Sequence, residues 1–599
     1  MALTFPRALT ATAVSLAAAA LSVEALACST VVVGKDASVT GEIIVGHNED
    51  NDLRIVTSKY WVPAADHKTG EMITYEPAAA KIPQVAHTYG YFWTQTLHPA
   101  GYSYLDGFVN EKGVVIVSNN CNETFEAGES VNENGIGYGI RRLMAERAAS
   151  AREAVDVAIE LQVKYGYLSE GRTYTVADKN EAWQIMLLRG HRYIARKVQD
   201  DEVTYIANAF SLDRIDDVPK GDVLMSPDLI EHAIKTKHYS PAKAGDYSDF
   251  SFRKAYQPIE RRAADWNKDR AQTAWEILTG HETTDQERFP YSIKPEKKLS
   301  VEDVKTVLSG HWKRENRPGF IHHSMRDICN IGTFDSVVYE MAADPAFTRG
   351  WAANGRPSQI PFVPFYPLAK PADASAFMTP DVATAEHFHA AADRFDYKAD
   401  FGLYAFLNAQ NLADYVGDGE LRKVKAGLEA RWESESESVL KRAAYLKKNV
   451  SPEKAMQYLH DYNNQTYGEA LAAMSEAYSA MKPVKIEILA DSLSLSNKGT
   501  VDVAVFGDQD LNVKAIKTDS TLFGIAYPNP DVDINAKREK AVKTQYKDLD
   551  GDGTLDAVFT FKTGPATAYG FENVKTDLWF FAETPERKIG GFDIVKLLK

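Results

Sequence analysis

Residues 29–33 read Ser-Thr-Val-Val-Val and follow directly on an alanine-rich leader that ends Ala25-Leu26-Ala27-Cys28. Branched β-carbons restrict χ1 in a helix and pack well on a pleated surface, so this run predicts a strand that begins at once after Cys28. Gly34-Lys35 closes it, and a second run, Ile43-Ile44-Val45, follows Thr40-Gly41, giving two strands joined by a turn. The leader carries one positive side chain, Arg7, then Ala8, Leu9, Ala11, Ala13, Val14, Leu16 and the alanines 17–20. That pattern is a secretory signal peptide over residues 1–27, with small residues at 25 and 27 for cleavage and Cys28 as the first mature residue. The stretch is too short and too weakly apolar for a transmembrane helix of about 20 residues, and no later segment approaches that length. The expectation is an exported chain, periplasmic or extracellular, without a transmembrane segment.

A cysteine at a cleavage point has two readings. Acylated, it anchors a lipoprotein; Ala27-Cys28-Ser29 permits this, although Ala25 stands where such signals usually carry Leu and Glu24 interrupts the apolar run. Unmodified, it is an N-terminal nucleophile whose own α-amine, with an unperturbed pKa of about 7.7–8.0, takes the thiol proton. A lipid-anchored chain usually places a flexible polar tether after its cysteine. The strand starting at Ser29 favours the nucleophile.

The 599 residues are 44% hydrophobic and 25% charged, which excludes wholesale disorder, and three cysteines exclude a disulfide-dense scaffold. With 68 Lys and Arg against 83 Asp and Glu, the net charge of -15 repels phosphate backbones and excludes a nucleic-acid partner. Further strands are predicted at 114–117, 173–177 and 203–206, and Ala151, Ala154, Val155, Ala158 and Leu161 recur at helical spacing. Strands grouped apart from helices give an α+β chain of layered sheets with helices outside. Residues 28–381 form its core. From 382 to 483 the chain becomes a helix-rich extension, in which Glu433, Glu435 and Glu437 followed by Lys441, Arg442, Lys447 and Lys448 read as a solvated face. After Pro483, segments such as 501–506 and 557–561 mark a β-rich domain over 484–599. The sequence has no internal repeat, phosphate-binding glycine loop or His-Glu-x-x-His motif.

Cys28-Ser29-Thr30-Val31-Val32-Val33-Gly34-Lys35, followed by His47-Asn48-Glu49-Asp50, resembles the start of the dipeptidase A family, a branch of the N-terminal nucleophile hydrolases related to penicillin V acylase. Asn110-Glu111-Lys112-Gly113-Val114 resembles the family's Asn-Glu-Lys-Gly-Val turn, and Ala177-Asp178-Lys179-Asn180-Glu181-Ala182-Trp183 its Ala-Asp-x-x-Glu-Ala-Trp strand. Ala207-Asn208, Arg326-Asp327-Ile328-Cys329 with Thr333 and Ser336, and Pro361-Phe362-Val363-Pro364-Phe365-Tyr366 resemble later landmarks, so the likeness spans about 28–481.

The resemblance implies a four-layer αββα core and hydrolysis of an amide bond. Cys28 would attack the scissile carbonyl, its amine would carry the proton to the leaving group, and water would release the acyl-enzyme. Neither a catalytic cofactor nor a catalytic histidine is needed for this. Asp50 corresponds to the acid that holds amine and thiol; without the motif it is a loop carboxylate among Glu49, Asp50 and Asp52. Asn208 corresponds to an oxyanion donor, or else to a turn residue at a strand end. Arg253 corresponds to a second polar arginine of the site, with Arg261 and Arg262 nearby. His47 stands where many relatives carry Arg, as a pH-dependent cation or as a packed neutral residue. Asn119 and Asn120 either offer a backbone N–H to the oxyanion or make a turn.

Cys121 and Cys329 either bridge, leaving Cys28 as the odd thiol, or stay free and buried. His322-His323 and His387-x-His389 lack the i, i+4 spacing of a zinc site and read as surface or packing residues. In the C-terminal segment, Asp548, Asp550, Asp552 and Asp556 occupy positions 1, 3, 5 and 9 of a calcium-type loop, with the Thr554 carbonyl at 7 and Gly553 at 6. Position 12 is Phe559, not Glu, so the order is closer to calcium loops of extracellular β modules; the alternative is an acidic turn without an ion. The whole reads as an exported cysteine dipeptidase acting on short peptides. Its alternatives are an acylase for non-peptide amides and a surface lipoprotein with a binding module and no activity.

Overall fold

The computed structural model describes residues 28–599 apart from 52–54, 77, 98–105, 123–133, 216–217, 284–288, 313–323, 389, 497, 526–537 and 567–571. The leader over 1–27, and with it the cleavage signal, lies outside the described residues, as do His322, His323 and His389. Among the described residues the chain is a mixed α+β protein built on two large antiparallel sheets.

Ser29–Val33 forms a strand with every side chain buried. Its two faces meet different neighbours, as the two-residue period of a strand requires. Val31 and Val33 enter an apolar core with Ala274, Trp275 and Leu278 of helix Asp265–Thr279 and Val304, Val307 and Leu308 of helix Val301–Leu308. Val32 enters a second core, shared with Phe92, Val109, Val115 and Val117 of the other sheet. The β-branched run is therefore a central strand covered on both sides.

The first sheet runs in the order Ser292–Ile293, Val203–Ile206, Ser29–Val33, Ile44–Asp50, Thr333–Glu340, Arg349–Ala353, Val363–Phe365. In the second the order is Val223–Met225, Tyr193–Val198, Ala182–Leu187, Arg172–Ala177, Val115–Asn120, Asp106–Asn110, Tyr91–Leu97, Val56–Val62. On its far face, Ile116, Tyr174, Val176 and Ile185 pack against Ala151, Ala154, Val155, Ala158 and Leu161 of helix Ala151–Tyr165. These are the helix-spaced apolar positions of the sequence. Ser150 caps that helix by accepting from the Glu153 N–H at 3.2 Å, and Gly166 ends it with a φ of 74° that few other residues adopt.

The second strand extends beyond the predicted 43–45 and occupies Ile44–Asp50, all of it buried. His47, Asn48, Glu49 and Asp50 look like loop residues by composition, yet the strand is paired on both edges, with Ser29–Val33 and with Thr333–Glu340. Both ladders satisfy its backbone, so polar side chains can be carried into the interior. A Cβ at Gly46 would stand 2.4 Å from Val304 Cγ1, and the bare glycine lets helix Val301–Leu308 lie directly on the strand.

Helices Leu403–Val416, Gly419–Asn449 and Pro452–Ala480 follow, and Glu437 and Lys441 form an exposed i, i+4 pair on the second of them. Beyond them come two four-stranded sheets, Ile486–Ile488, Thr500–Val505, Asp556–Lys562, Lys543–Lys547 and Ser492–Ser494, Lys588–Leu598, Lys575–Glu583, Leu522–Ile525. Val503, Phe523, Phe559, Phe561, Leu578 and Phe580 fill the space between them. On the opposite face of Lys575–Glu583, Trp579 and Phe581 join the core that contains Val31 and Val33, with the rings of Phe581 and Tyr415 4.8 Å apart.

Candidate active site

The antiparallel register sets Ser29 opposite Asn48 and Thr30 opposite His47; continued by one residue it sets Cys28 opposite Glu49. Opposed residues share a face, so Cys28, Thr30, His47 and Glu49 all project toward the second sheet. Cys28 Sγ donates to Glu49 Oε2 at 3.3 Å, and the same oxygen lies 3.1 Å from His47 Nε2. On the other side of the imidazole, Nδ1 is 2.7 Å from Thr30 Oγ1, which itself donates to Asn119 Oδ1 at 2.6 Å. A hydroxyl has one proton to give, so Thr30 accepts from His47. Nδ1 therefore carries a proton, and Nε2 is the nitrogen turned to Glu49.

Cys28, His47 and Glu49 are all buried. Burial, followed by the charges of Glu49 and Asp50, pushes the Cys28 thiol well above its ordinary pKa, and the Arg172 guanidinium opposes them. The resting sulfur is thus held as a neutral thiol. Asp50 lies at the end of the same strand and accepts from Thr333 Oγ1 at 2.5 Å and Asn330 Nδ2 at 2.6 Å. Burial lifts its carboxyl to about 7, with Arg270, Thr333 and Asn330 restraining the rise.

Asn208 follows the strand Val203–Ile206 and is fully buried. Its Oδ1 accepts from Arg270 Nη1 at 3.4 Å and Nη2 at 3.3 Å, so the amide is oriented with Nδ2 toward the Asn120 carbonyl at 2.9 Å. One of the two amide protons is engaged there. Arg270 also donates to the Cys28 carbonyl at 3.3 Å and to Asn267 Oδ1 at 3.2 Å. Asn119 and Asn120 are strand residues paired with Thr173 and Arg172, not a turn.

Arg253 is held elsewhere, by Asp213 at 2.9 Å and the Phe289 carbonyl at 2.7 Å. The arginine that touches Cys28 is Arg270, and Arg261 reaches the Asn208 carbonyl at 3.0 Å. A cavity of about 520 Å³ adjoins these groups, lined among others by Tyr205, Arg253, Arg262, Asn267 and Trp275. Tyr205 links it to the first strand through Ser29 Oγ at 2.9 Å. Composition gives no hint of Glu49, Arg172 or Arg270. Register would expose Glu49, and the buried i, i+3 pair Asn267 and Arg270 of helix Asp265–Thr279 would expose the arginine.

Cys121 and Cys329 are buried and not joined by a disulfide: the first sulfur meets Thr173 Oγ1 at 3.2 Å and the second Ser358 Oγ at 3.2 Å. His387 packs its ring 4.8 Å from that of Trp93. In the C-terminal loop one carboxylate oxygen from each of Asp548, Asp550 and Asp552 lies within 4.8 Å of the others. Asp548 accepts from the N–H groups of Gly551 and Gly553, whose φ angles of 78° and 88° curl the loop around it. Asp556, buried, accepts from Gly507 and Leu549 N–H groups at 2.9 and 2.8 Å and ties the loop to its sheet. The donors are hard oxygens on a tight turn, a set that fits calcium.

Comparison with known proteins gives one family for most of this region. Residues 27–393 match the profile of peptidase family C69. A probable dipeptidase of Latilactobacillus sakei is 28% identical over 388 residues, 60% of this chain and 78% of that protein. A probable dipeptidase B of Streptococcus pyogenes is 24% identical over 366 residues, 57% of this chain and 72% of that protein, and a probable dipeptidase of Salmonella dublin is 25% identical over 362 residues, 57% and 81%. Among the described residues no helix is long and apolar enough to cross a membrane.

Proposed function

Because the chain belongs to peptidase family C69, it is a peptide-bond hydrolase, and we propose that it is an exported dipeptidase whose nucleophile is Cys28. The observation that carries this reading is the surroundings of one sulfur. Cys28 Sγ is bonded to Glu49, its own carbonyl to Arg270, and Arg270 in turn to Asn208. The two sheets, with their helices on the outer faces, are the αββα core of an N-terminal nucleophile hydrolase. The helices over 382–483 are its extension, and 484–599 is a β module that shares Trp579 and Phe581 with the core and is braced by calcium on Asp548, Asp550 and Asp552.

In this reading, removal of residues 1–27 exposes the Cys28 α-amine. The thiol proton passes to that amine, the S–C bond forms, and the oxyanion is met by the second N–H of Asn208 Nδ2. The amine gives its proton to the leaving amine as the peptide bond breaks. Water then adds to the thioester, returning the thiol and releasing the acid. Glu49 holds Sγ in place, Arg270 holds Asn208, and the Asp50 carboxylate holds the ammonium. The relatives named as probable dipeptidases support short peptides as substrates. Burial of Cys28 against Glu49 disfavours the lipoprotein, since a thioether-linked lipid would displace that contact.

The test follows amino-acid release from a panel of dipeptides. A chain beginning at Cys28 should hydrolyse them, while Cys28→Ala and a form with one extra residue ahead of Cys28 should fold and be nearly inactive. Equal rates from the extended and the exposed forms would remove the α-amine from the mechanism. Activity on acyl amides and not on dipeptides would make the chain an acylase.

A further inference from the structure

We propose that Cys28 Sγ, Glu49 Oε2 and His47 Nε2 form a binding site for a zinc-class transition-metal ion, and that the ion silences the nucleophile by occupying it. These three donors lie within 4.8 Å of one another on buried side chains. Two of the separations, 3.3 Å for sulfur to oxygen and 3.1 Å for nitrogen to oxygen, are close to what one small tetrahedral ion needs. Bonds of about 2.3 Å to sulfur and about 2.0–2.2 Å to nitrogen and oxygen set tetrahedral donors roughly 3.3–3.6 Å apart. A modest adjustment of the side chains would admit the ion between them.

The donor set decides the class of ion. A thiolate with an imidazole and one carboxylate oxygen suits zinc, cobalt or copper and is a poor cage for calcium or magnesium, which take all-oxygen shells. A second observation points the same way. A histidine ligand usually gives its other ring N–H to a fixed acceptor, which sets the tautomer and turns the free lone pair to the metal. Here Nδ1–H is given to Thr30 Oγ1, Thr30 is fixed by Asn119, and Nε2 is left facing Glu49 and the sulfur. On binding, the ion displaces the thiol proton and the proton that Nε2 shares with Glu49 Oε2, and both leave to solvent. Where the chain begins at Cys28, the α-amine can close a five-membered chelate with Sγ and supply a fourth ligand. The same step would remove both the nucleophile and its base.

Binding rests on the three side chains alone; its effect on hydrolysis rests on the function proposed above. The experiment keeps the two apart. Co²⁺ is added to the chain beginning at Cys28, in chelator-free buffer, and the near-ultraviolet sulfur-to-cobalt charge-transfer band is recorded, then titrated away with Zn²⁺. The band should appear with the native sequence and vanish in Cys28→Ser, although Cys121 and Cys329 remain. Thr30→Val keeps all three ligands and removes the partner of Nδ1, so its metal affinity should fall by roughly 10–100-fold. In parallel, Zn²⁺ should abolish dipeptide hydrolysis over the concentration range that displaces cobalt, with full recovery on chelation. A missing band, or one that survives in Cys28→Ser, overturns the site whether or not the chain hydrolyses anything. A band without inhibition of an active enzyme overturns the silencing and leaves the hydrolase reading intact.

Discussion

Cys28 and Glu49 face each other across an antiparallel strand pair, and the sulfur donates its proton to a carboxylate oxygen that His47 also approaches, at 3.3 and 3.1 Å. After burial, the Glu49 charge is the largest influence raising the thiol pKa. Glu49→Gln removes that charge and keeps an oxygen acceptor. Its Cys28 should therefore alkylate with iodoacetamide at lower pH than the native thiol. A profile that stays in place or moves upward would show that the Glu49 charge does not control the sulfur.

Asp50 holds its proton to about 7 in the folded chain, whereas an unfolded aspartate releases it near about 3.9. The contribution of this group to stability is thus fully present below about pH 4 and is lost as pH rises to about 7. Native stability should fall between pH 5 and pH 8, and Asp50→Asn, which can still bond Asn330 and Thr333, should flatten that part of the curve. Urea midpoints at the two pH values measure it. Hydrolysis has the opposite sign, because the carboxylate is the form that holds the ammonium: kcat/KM, assayed with chelator present, should rise through about pH 7 and lose that limb in Asp50→Asn.

Asn208 depends on Arg270 for its orientation. Asn208→Ala should lower kcat by about 10²–10³-fold, the usual cost of one oxyanion donor. Arg270→Met takes from Asn208 Oδ1 the donor that orients it in the interior, while Asn267 Oδ1 keeps the Asn208 N–H, and should cost about 1–3 kcal/mol of stability. Arg253→Met, by contrast, breaks a pairing with Asp213 at the cavity wall and should change KM more than kcat. A kcat loss in Arg253→Met equal to that of Asn208→Ala would return Arg253 to the reacting centre.

Calcium should raise the melting temperature of the full-length chain, and the double substitution Asp550→Ala with Asp552→Ala should abolish the rise. Magnesium serves as the comparison ion, since it dehydrates reluctantly and favours a stricter geometry. Equal melting with and without calcium would leave the acidic loop as a turn.

The elements that sequence makes legible are those whose signal is local. The run 29–33 is strand because branched residues occupy every position from 30 to 33, and the helix over Ala151–Tyr165 shows its buried stripe in its spacing. Cys28 stands out in the sequence for a similar reason, at the head of that strand. The strand ending at Asp50 is misjudged by its polar half, since burial of His47 and Glu49 depends on partners supplied by the rest of the chain. Arg270 lies 242 residues from Cys28, and only the packing of helix Asp265–Thr279 on the first sheet brings them together. Arg253, chosen by motif position, shows the limit of a register carried along the chain without the fold.

Trp579 and Phe581 belong to the same apolar core as Val31 and Val33. The two valines and the two aromatic rings are more than 500 residues apart along the chain, so synthesis delivers them at well separated times. Between those moments the core lacks what Trp579 and Phe581 bring to it. Packing around Ser29–Val33 is thereby completed only when Lys575–Glu583 has been made, so a segment far downstream sets when this core is finished.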